Sequence, residues 1–332
     1  MDPFTQGVVG AVASCTWQRA SQIRMAASAG FLAALAPDLD VLIRSNTDSL
    51  LMLEYHRQFT HSFIFIPLGG LVVSCVLALI FRKNLQISFW QLLFFCMLGY
   101  ATHGVLDFAT SYGTLLLWPF SNTRFSLNII SVVDPIFTFP IFLCVILCIF
   151  FRAKKWALLG VAWIAFYLCF GAFQNFSAKN MIENLARERN HHPTRILVKP
   201  TFANALLWRT IYEENGIFYI DAVRPNFVPK IFEGEFVRKL DIKRDFPWLD
   251  LKSQQAHDIN RFSNFSDGFI AKAKVYEERI IDVRYSLHPF EVKPLWSIRL
   301  KRDAEKNAHA QYETHRNNMQ KHFTILMRVI FS

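Results

Sequence analysis

The chain has 332 residues, of which 52% are hydrophobic and 15% aromatic, with 36 Lys/Arg against 26 Asp/Glu. So much apolar material is unusual for a soluble protein. The net charge of +10 comes without a basic run dense enough for nucleic acid, which leaves a basic surface near anionic lipid.

Charge is unevenly placed: residues 1–176 hold 10 Lys/Arg and 7 Asp/Glu, and residues 177–332 hold 26 and 19. The expected fold class is an α-helical integral membrane domain over 1–176, with about four to five membrane helices or half-helices, followed by a small α+β soluble domain over 177–332. All six cysteines (Cys15, Cys75, Cys96, Cys144, Cys148, Cys169) fall in apolar runs of the first half, without zinc-knuckle spacing, and read as packing residues. The opening MDPFTQ lacks a basic stretch and does not read as a signal peptide.

In chain order, the small-residue run 7–16 is too short for a bilayer, which needs about 20 residues, and with the second short run 25–36 reads as a helical hairpin or half-membrane pair; one long helix is the alternative, but it would carry Arg19 and Arg24 near its centre. Pro37 ends the second run, with Asp38 and Asp40 just beyond it. After a polar connection over 41–55, a spanning helix runs from Ser62 to Phe81 and is closed by Arg82 and Lys83. Another starts near Phe89 and carries His103 and Asp107 at its far end. A loop over 115–133 leads to Asp134–Pro135, which opens a span over 136–151; the basic turn Arg152–Lys155 precedes a last span over 156–173.

If these helices alternate, Arg82/Lys83, Arg152/Lys154/Lys155 and Arg19/Arg24 share one side, which the positive-inside rule makes cytoplasmic. Asp38, Asp40, His56, His61, His103, Asp107 and Asp134 then gather at the opposite, periplasmic face of a bacterial inner membrane, and the tail lies outside with them. That tail reads as a helix at 178–189 and strands at 208–212 and 216–223, joined as a hairpin at EEN. A strand at 230–240, a polar helix at 253–273, strands at 279–285 and 295–300, and a charged helix at 303–327 complete it.

His103 and Asp107 are four apart, so one helical face carries both. An imidazole and a carboxylate so placed can share a divalent ion, and ionisable groups inside a membrane are usually functional. Gly104 beside them leaves room for another backbone or a substrate. His56 and His61, five apart, splay by roughly 140° on a continuous helix and converge only if the chain bends between them, with Thr60 or Ser62 available to cap the helix that starts there. Asp38 and Asp40 suit either a solvated helix end or a grip on one or two metals. Asp134 suits either an N-cap or a ligand.

Glu54 suits a general base or a surface residue, and Arg57 and Arg124 suit neutralisation of a phosphate or contact with lipid headgroups. His191 and His192, before a proline in a polar linker, read as solvated; His257, His288, His309, His315 and His322 lack ligand spacing.

PDLD at 37–40, HRQFTHS at 56–62 and HGVLDFATSYGT at 103–114, followed by Pro119, resemble the YdjM-type family of inner-membrane metal-dependent hydrolases. The match is close over 1–140 and loose in the tail, through KPTFANALLWR, IDVRYS and LWSIRL. The resemblance implies a membrane-embedded relative of zinc phospholipase C and P1-type nucleases. It implies His56, His61, His103 and Asp107 as metal ligands, with Asp38 and Asp40 in the same site. Gln6 stands where some members carry histidine, so a site using that position holds one ion fewer.

The expected function is hydrolysis of a phosphoester in a lipid or envelope-related substrate by metal-activated water, with Asp40 accepting a proton. Mixed His and Asp ligands suit zinc, with manganese or iron as alternatives. The bilayer and the substrate are the expected partners, nucleic acid is not, and the competing class is a non-enzymatic membrane scaffold with a structural metal site. A transporter would need polar groups near midplane on several helices, whereas here they gather at one face.

Overall fold

Asp2 begins the first helix, its carboxylate accepting the Thr5 amide at 3.0 Å with Pro3 at the first helical position. The computed structural model describes residues 1–81, 87–226, 228–315 and 319–331. Helix α1 (Pro3–Cys15) turns through an exposed connection holding Arg19 into α2 (Ile23–Leu35), the helical hairpin expected from two short runs. A 3-10 stretch (Ala36–Leu42) comes next with Asp38 and Asp40, then a short α3 (Leu51–Tyr55). After 3-10 turns at Phe59–His61 and Phe63–Phe65 come α4 (Ile66–Ile80) and α5 (Phe89–Ala109), the latter opened by a capping box between Ser88 and Gln91. Helix α6 (Pro135–Phe151) ends at a left-handed Arg152, and α7 (Lys155–Glu188) comes after it.

The first of two compact units comprises Met1–Leu42, Tyr55–Gln174 and Phe202–Ala205. Its core gathers Val12, Ala26, Leu92, Phe95, Phe137 and Ile141. Small residues let its helices meet at backbone distance: a Cβ on Gly99 would stand 2.3 Å from the Gly30 carbonyl oxygen, and one on Gly10 would stand 2.5 Å from the same atom. Without a hydrophobic force between helices in lipid, such close backbone packing is what holds them together. Ile23–Leu42, expected as a short run, is with Phe63–Ile80, Phe89–Ala109 and Lys155–Glu188 long and apolar enough to cross a membrane, whereas Pro135–Phe151, expected as a span, is a shorter apolar helix. Their outward side chains, Leu68, Leu79, Trp90, Phe139 and Phe166 among them, are large, apolar and exposed, as a lipid-facing surface requires. Arg82 and Lys83, used in the orientation argument, lie outside the described residues.

The second unit, Ile43–Glu54, Asn175–Thr201 and Leu206–Ser332, is rich in β-structure. The helix expected over 178–189 is the end of α7, and the polar connection at Ile43–Glu54 packs with this unit. Strands β1 (Arg195–Pro200), β2 (Trp208–Glu214), β3 (Ile217–Arg224) and β4 (Lys230–Phe232) form an antiparallel sheet in that order, and β5 (Phe236–Arg238) also pairs with β3. The β2–β3 turn falls on Asn215–Gly216, at the end of EEN, both at positive φ; two left-handed residues match the twist of the paired strands. The single strand expected over 230–240 is split around Gly234.

A one-turn α8 (Ile242–Asp245) and α9 (Gln254–Phe265) precede a second antiparallel sheet of β6 (Ile270–Lys272), β7 (Arg279–Asp282), β8 (Trp296–Arg299) and β9 (Gln311–Thr314), in that order. Two expectations are corrected here. The helix expected over 253–273 stops at Phe265, because Asp267 and Gly268 take positive φ and turn the chain into β6. The helix expected over 303–327 is instead β9, with Tyr312 facing Ile298 in register, and then α10 (Met319–Phe331). Buried Arg209 ties this unit together, its guanidinium donating to the carbonyls of Val283, His288, Pro289 and Glu291 at 2.7–3.1 Å.

Candidate metal centre

The last turns of α5 place His103 and Asp107 on one buried face, with His103 Nε2 3.7 Å from Asp107 Oδ2. His61 reaches the same point from its 3-10 turn. Its Nε2 stands 3.0 Å from His103 Nε2 and 3.5 Å from Asp107 Oδ2. Asp38 supplies the fourth group from the 3-10 stretch after α2, its Oδ1 3.5 Å from His61 Nε2 and 3.4 Å from His103 Nε2. These four residues offer ligand atoms that all lie within 4.8 Å of one another. A tetrahedral ion with bonds of about 2.0–2.1 Å spaces its ligand atoms about 3.3–3.4 Å apart, close to the separations found.

The hydrogen bonds behind the rings say what the facing nitrogens carry. His103 Nδ1 lies 2.6 Å from the Ala34 carbonyl oxygen, which can only accept, so the proton sits on Nδ1. Thr60 gives its hydroxyl proton to Asp40 Oδ2 at 2.8 Å and therefore accepts from His61 Nδ1 at 2.9 Å. In the neutral rings both Nε2 atoms then present lone pairs to each other across 3.0 Å, beside two carboxylates. Only a proton or a cation between them removes that repulsion. Asp107 Oδ2 is buried and accepts no hydrogen bond among the described residues. Four converging Lewis bases, with the back atoms of His61, His103 and Asp107 held by partners, fit a divalent cation, and such outer partners are what orient ligands in metal sites.

Asp107 Oδ1 faces the other way, accepting from the Met1 amino group and from Gln6 Nε2, the latter at 2.9 Å. Gln6 is thus in the cluster as a donor that orients Asp107, with no partner on its own Oε1 among the described residues. Arg57 lies with Nε 3.1 Å from Asp107 Oδ2, close enough for an ion pair but off the line of a hydrogen bond; its Nη1 donates to Thr110 at 3.1 Å and Tyr112 lies beneath it.

A second constellation, Asp38, Asp40 and His56, shares Asp38 with the first. His56 Nδ1 is 2.7 Å from Asp40 Oδ1, while Asp40 Oδ2 accepts from Thr60 and from the Arg57 amide at 3.1 Å. The bend that lets His56 and His61 meet is at Arg57, whose φ of 64° leaves the helical region, so the two rings stand edge-on at 5.7 Å. The room beside Gly104 is taken by backbone: a Cβ there would come within 2.5 Å of the His61 carbonyl oxygen. Arg124 donates to the carbonyls of His56 and Gly113 at 3.3 Å.

The structure therefore brings together Asp38, Asp40, His56, Arg57, His61, His103 and Asp107. It does not bring in Asp134, whose carboxylate accepts the Phe137 amide at 3.2 Å as cap of α6 and the Tyr167 hydroxyl at 2.8 Å. Nor does it bring in Glu54, which pairs with Arg261 at 2.7 Å in the second unit. Sequence reasoning missed the outer partners, above all the Ala34 carbonyl and the bridging role of Thr60. A carbonyl acceptor leaves no trace in a side-chain pattern, although Thr60 sat next to a proposed ligand. It also passed over His309, which lies 3.0 Å from Asp258 and 3.7 Å from Asp48. Arg261 engages both of those carboxylates, so this is an ion-pair network with its own cation.

A family model described as YdjM inner membrane protein matches residues 1–178. No curated protein and no solved structure matches the chain. The match spans more than half of the sequence, including every member of the cluster, and the chain belongs to the YdjM inner membrane protein family.

Proposed function

We propose that this YdjM-family membrane protein is a metal-dependent hydrolase of phosphoesters. The observation that supports this best is the pair of Nε2 lone pairs facing across 3.0 Å beside the carboxylates of Asp38 and Asp107. Two imidazoles and two carboxylates suit zinc, with manganese or iron as alternatives. A divalent ion held there would supply Lewis acidity, polarising a phosphoryl oxygen and acidifying a water.

The protein's own groups divide the remaining tasks. Asp40 is already loaded with three hydrogen-bond contacts, so it serves as the residue that orients His56 rather than as the proton acceptor. Held through Nδ1, His56 keeps Nε2 available to take a proton, the logic by which a carboxylate fixes a catalytic imidazole. His56 and Asp38 are partly exposed, with side chains 29% and 23% accessible, and they form the entrance. His61, His103 and Asp107 are buried behind them and exclude water. Arg57 Nε lies 3.1 Å from Asp107 Oδ2 and balances the charge of that carboxylate.

The positive-inside rule, applied to Arg19, Arg24, Arg152, Lys154 and Lys155, puts the cluster and the residues beyond 176 on the periplasmic side. A phosphoester carried by an envelope lipid is the substrate that this level of the membrane offers. The test is turnover of phosphatidylglycerol by purified protein, before and after chelation, beside the His103→Ala/Asp107→Ala variant. Activity lost on chelation, restored by zinc and missing from the variant is expected; turnover indifferent to both sinks the proposal.

A second reading has one observation in its favour. Asp107 joins the Met1 amino group, Gln6 and Arg57 in one buried knot, as a structural clip between helices would. Ligand variants that unfold, from a protein that turns over no phosphoester, would favour that scaffold.

A further inference from the structure

An apolar groove of about 460 Å³ runs along the first unit between α2 and α4, with Tyr100 of α5 at its base. That volume lies within the roughly 300–1,000 Å³ of small-ligand sites. From Gly69 to Ile80 the groove tracks α4 for about 16 Å at 1.5 Å per residue. Leu32, Leu39, Val72, Val76 and Ile80 line it and are exposed on helices apolar enough to cross a membrane, so its open side meets hydrocarbon.

Its polar features are confined to one place, Thr60 and the Tyr100 hydroxyl. Thr60 donates to Asp40 and accepts from His61, and Tyr100 donates to the Thr60 carbonyl at 2.8 Å. One residue therefore belongs both to the groove wall and to the hydrogen bonds that orient the candidate metal ligands.

We propose that the groove holds one hydrocarbon chain of the substrate, so that the site acts on phosphoesters of membrane lipids rather than on water-soluble ones. This rests on the hydrolase reading and narrows it. The chain is chosen as occupant because the groove is apolar along its length, opens toward lipid, and ends at a residue bonded to the polar cluster. Lipid is as apolar as the leucines lining the groove, so a tail is held there by close packing along α4 and not by a hydrophobic force. What the groove supplies is position: a tail lying along α4 brings its headgroup to Thr60, beside Asp38 and His56.

The experiment places full-length protein, wild type or with Val72→Trp or Val76→Trp, in phosphatidylglycerol nanodiscs stripped of metal by chelator. Native mass spectrometry then counts the phosphatidylglycerol retained after release, and zinc content is measured on the same preparations after reloading. The expected result is about one lipid per wild-type chain and at least a tenfold drop in both tryptophan variants, with zinc content unchanged. Equal retention in all three proteins overturns the groove. Should the tryptophans prevent folding, Val76→Cys in a Cys75→Ser chain, alkylated with a bulky maleimide after purification, fills the groove in folded protein. Its alkylated Cys75→Ser parent is the control, and equal retention by the two overturns the proposal in the same way. Groove-dependent retention by a protein that binds no zinc would leave the groove standing and remove the hydrolase reading. Zinc bound normally with retention indifferent to the groove would do the reverse.

Discussion

Asp134 and Asp107 are both buried carboxylates in the apolar half of the chain, and their surroundings separate them. Asp107 keeps one oxygen among two imidazoles and Arg57, whereas both oxygens of Asp134 are spent on an α6 amide and a tyrosine. Asp134→Ala should accordingly leave metal content unchanged and lower stability, by about 1–2 kcal/mol for the lost cap, seen as a lower thermal midpoint. Metal lost from folded Asp134→Ala protein would return that residue to the site. His103 with Asp107 was legible in the sequence because i, i+4 spacing alone puts two side chains on one face. Asp134 was not, because an Asp–Pro pair before an apolar run reads the same for a cap and for a ligand. Asp40 was identified as a member of the site, but its role depends on Thr60 and on an Arg57 amide that only folding brings near.

Helix α5 is positioned by backbone contact, and its site depends on that position. Gly99 meets Gly30 of α2 at a separation that no Cβ fits, and His103 is one turn further along α5. Gly99→Val should push α5 away from α2, costing about 1–3 kcal/mol as overpacking does and carrying His103 away from the Ala34 carbonyl. Reduced metal content together with a lower thermal midpoint is the expected pair of readings; a variant normal in both would show that the contact does not set the site. The membrane helices were readable because a long apolar run has few alternatives. The second unit was harder. Its hairpin at 208–224 carried alternating β-formers and a turn signal, but the polar runs after 253 and 303 offered charge without a clear apolar period, so a strand in each was read as helix.

For the whole molecule, acidification should act on the second unit through paired carboxylates. Burial opposes ionisation of Asp48 and Glu213, but hydrogen bonds from Arg261 to Asp48, and from Lys239 and Arg195 to Glu213, outweigh it and hold both carboxyls below their ordinary values. The unfolded chain then binds these protons more readily, so their contribution is complete above the ordinary carboxylate pKa of about 4 and is lost as pH falls through the lowered folded values. Hydrogen exchange at β2 and β3 between pH 7 and pH 3 should show that loss, and Glu213→Gln should flatten it. An unchanged slope in the variant would remove Glu213 from the account.

The two-part organisation and the membrane character of the first half were legible in composition alone. The gathering of Asp38, His61, His103 and Asp107 at one face was expected from the sequence; the structure adds that their ligand atoms, from three separate segments, converge to within 4.8 Å of one another. The most direct test of that convergence is the metal content of detergent-purified protein by inductively coupled plasma mass spectrometry, with His61→Ala and His103→Ala beside the wild type. The expected result is near-stoichiometric zinc in the wild type and less than about a tenth of it in each variant, all three remaining folded by circular dichroism. Well-folded wild-type protein without zinc, manganese or iron, or variants that keep their metal, would contradict the site described here.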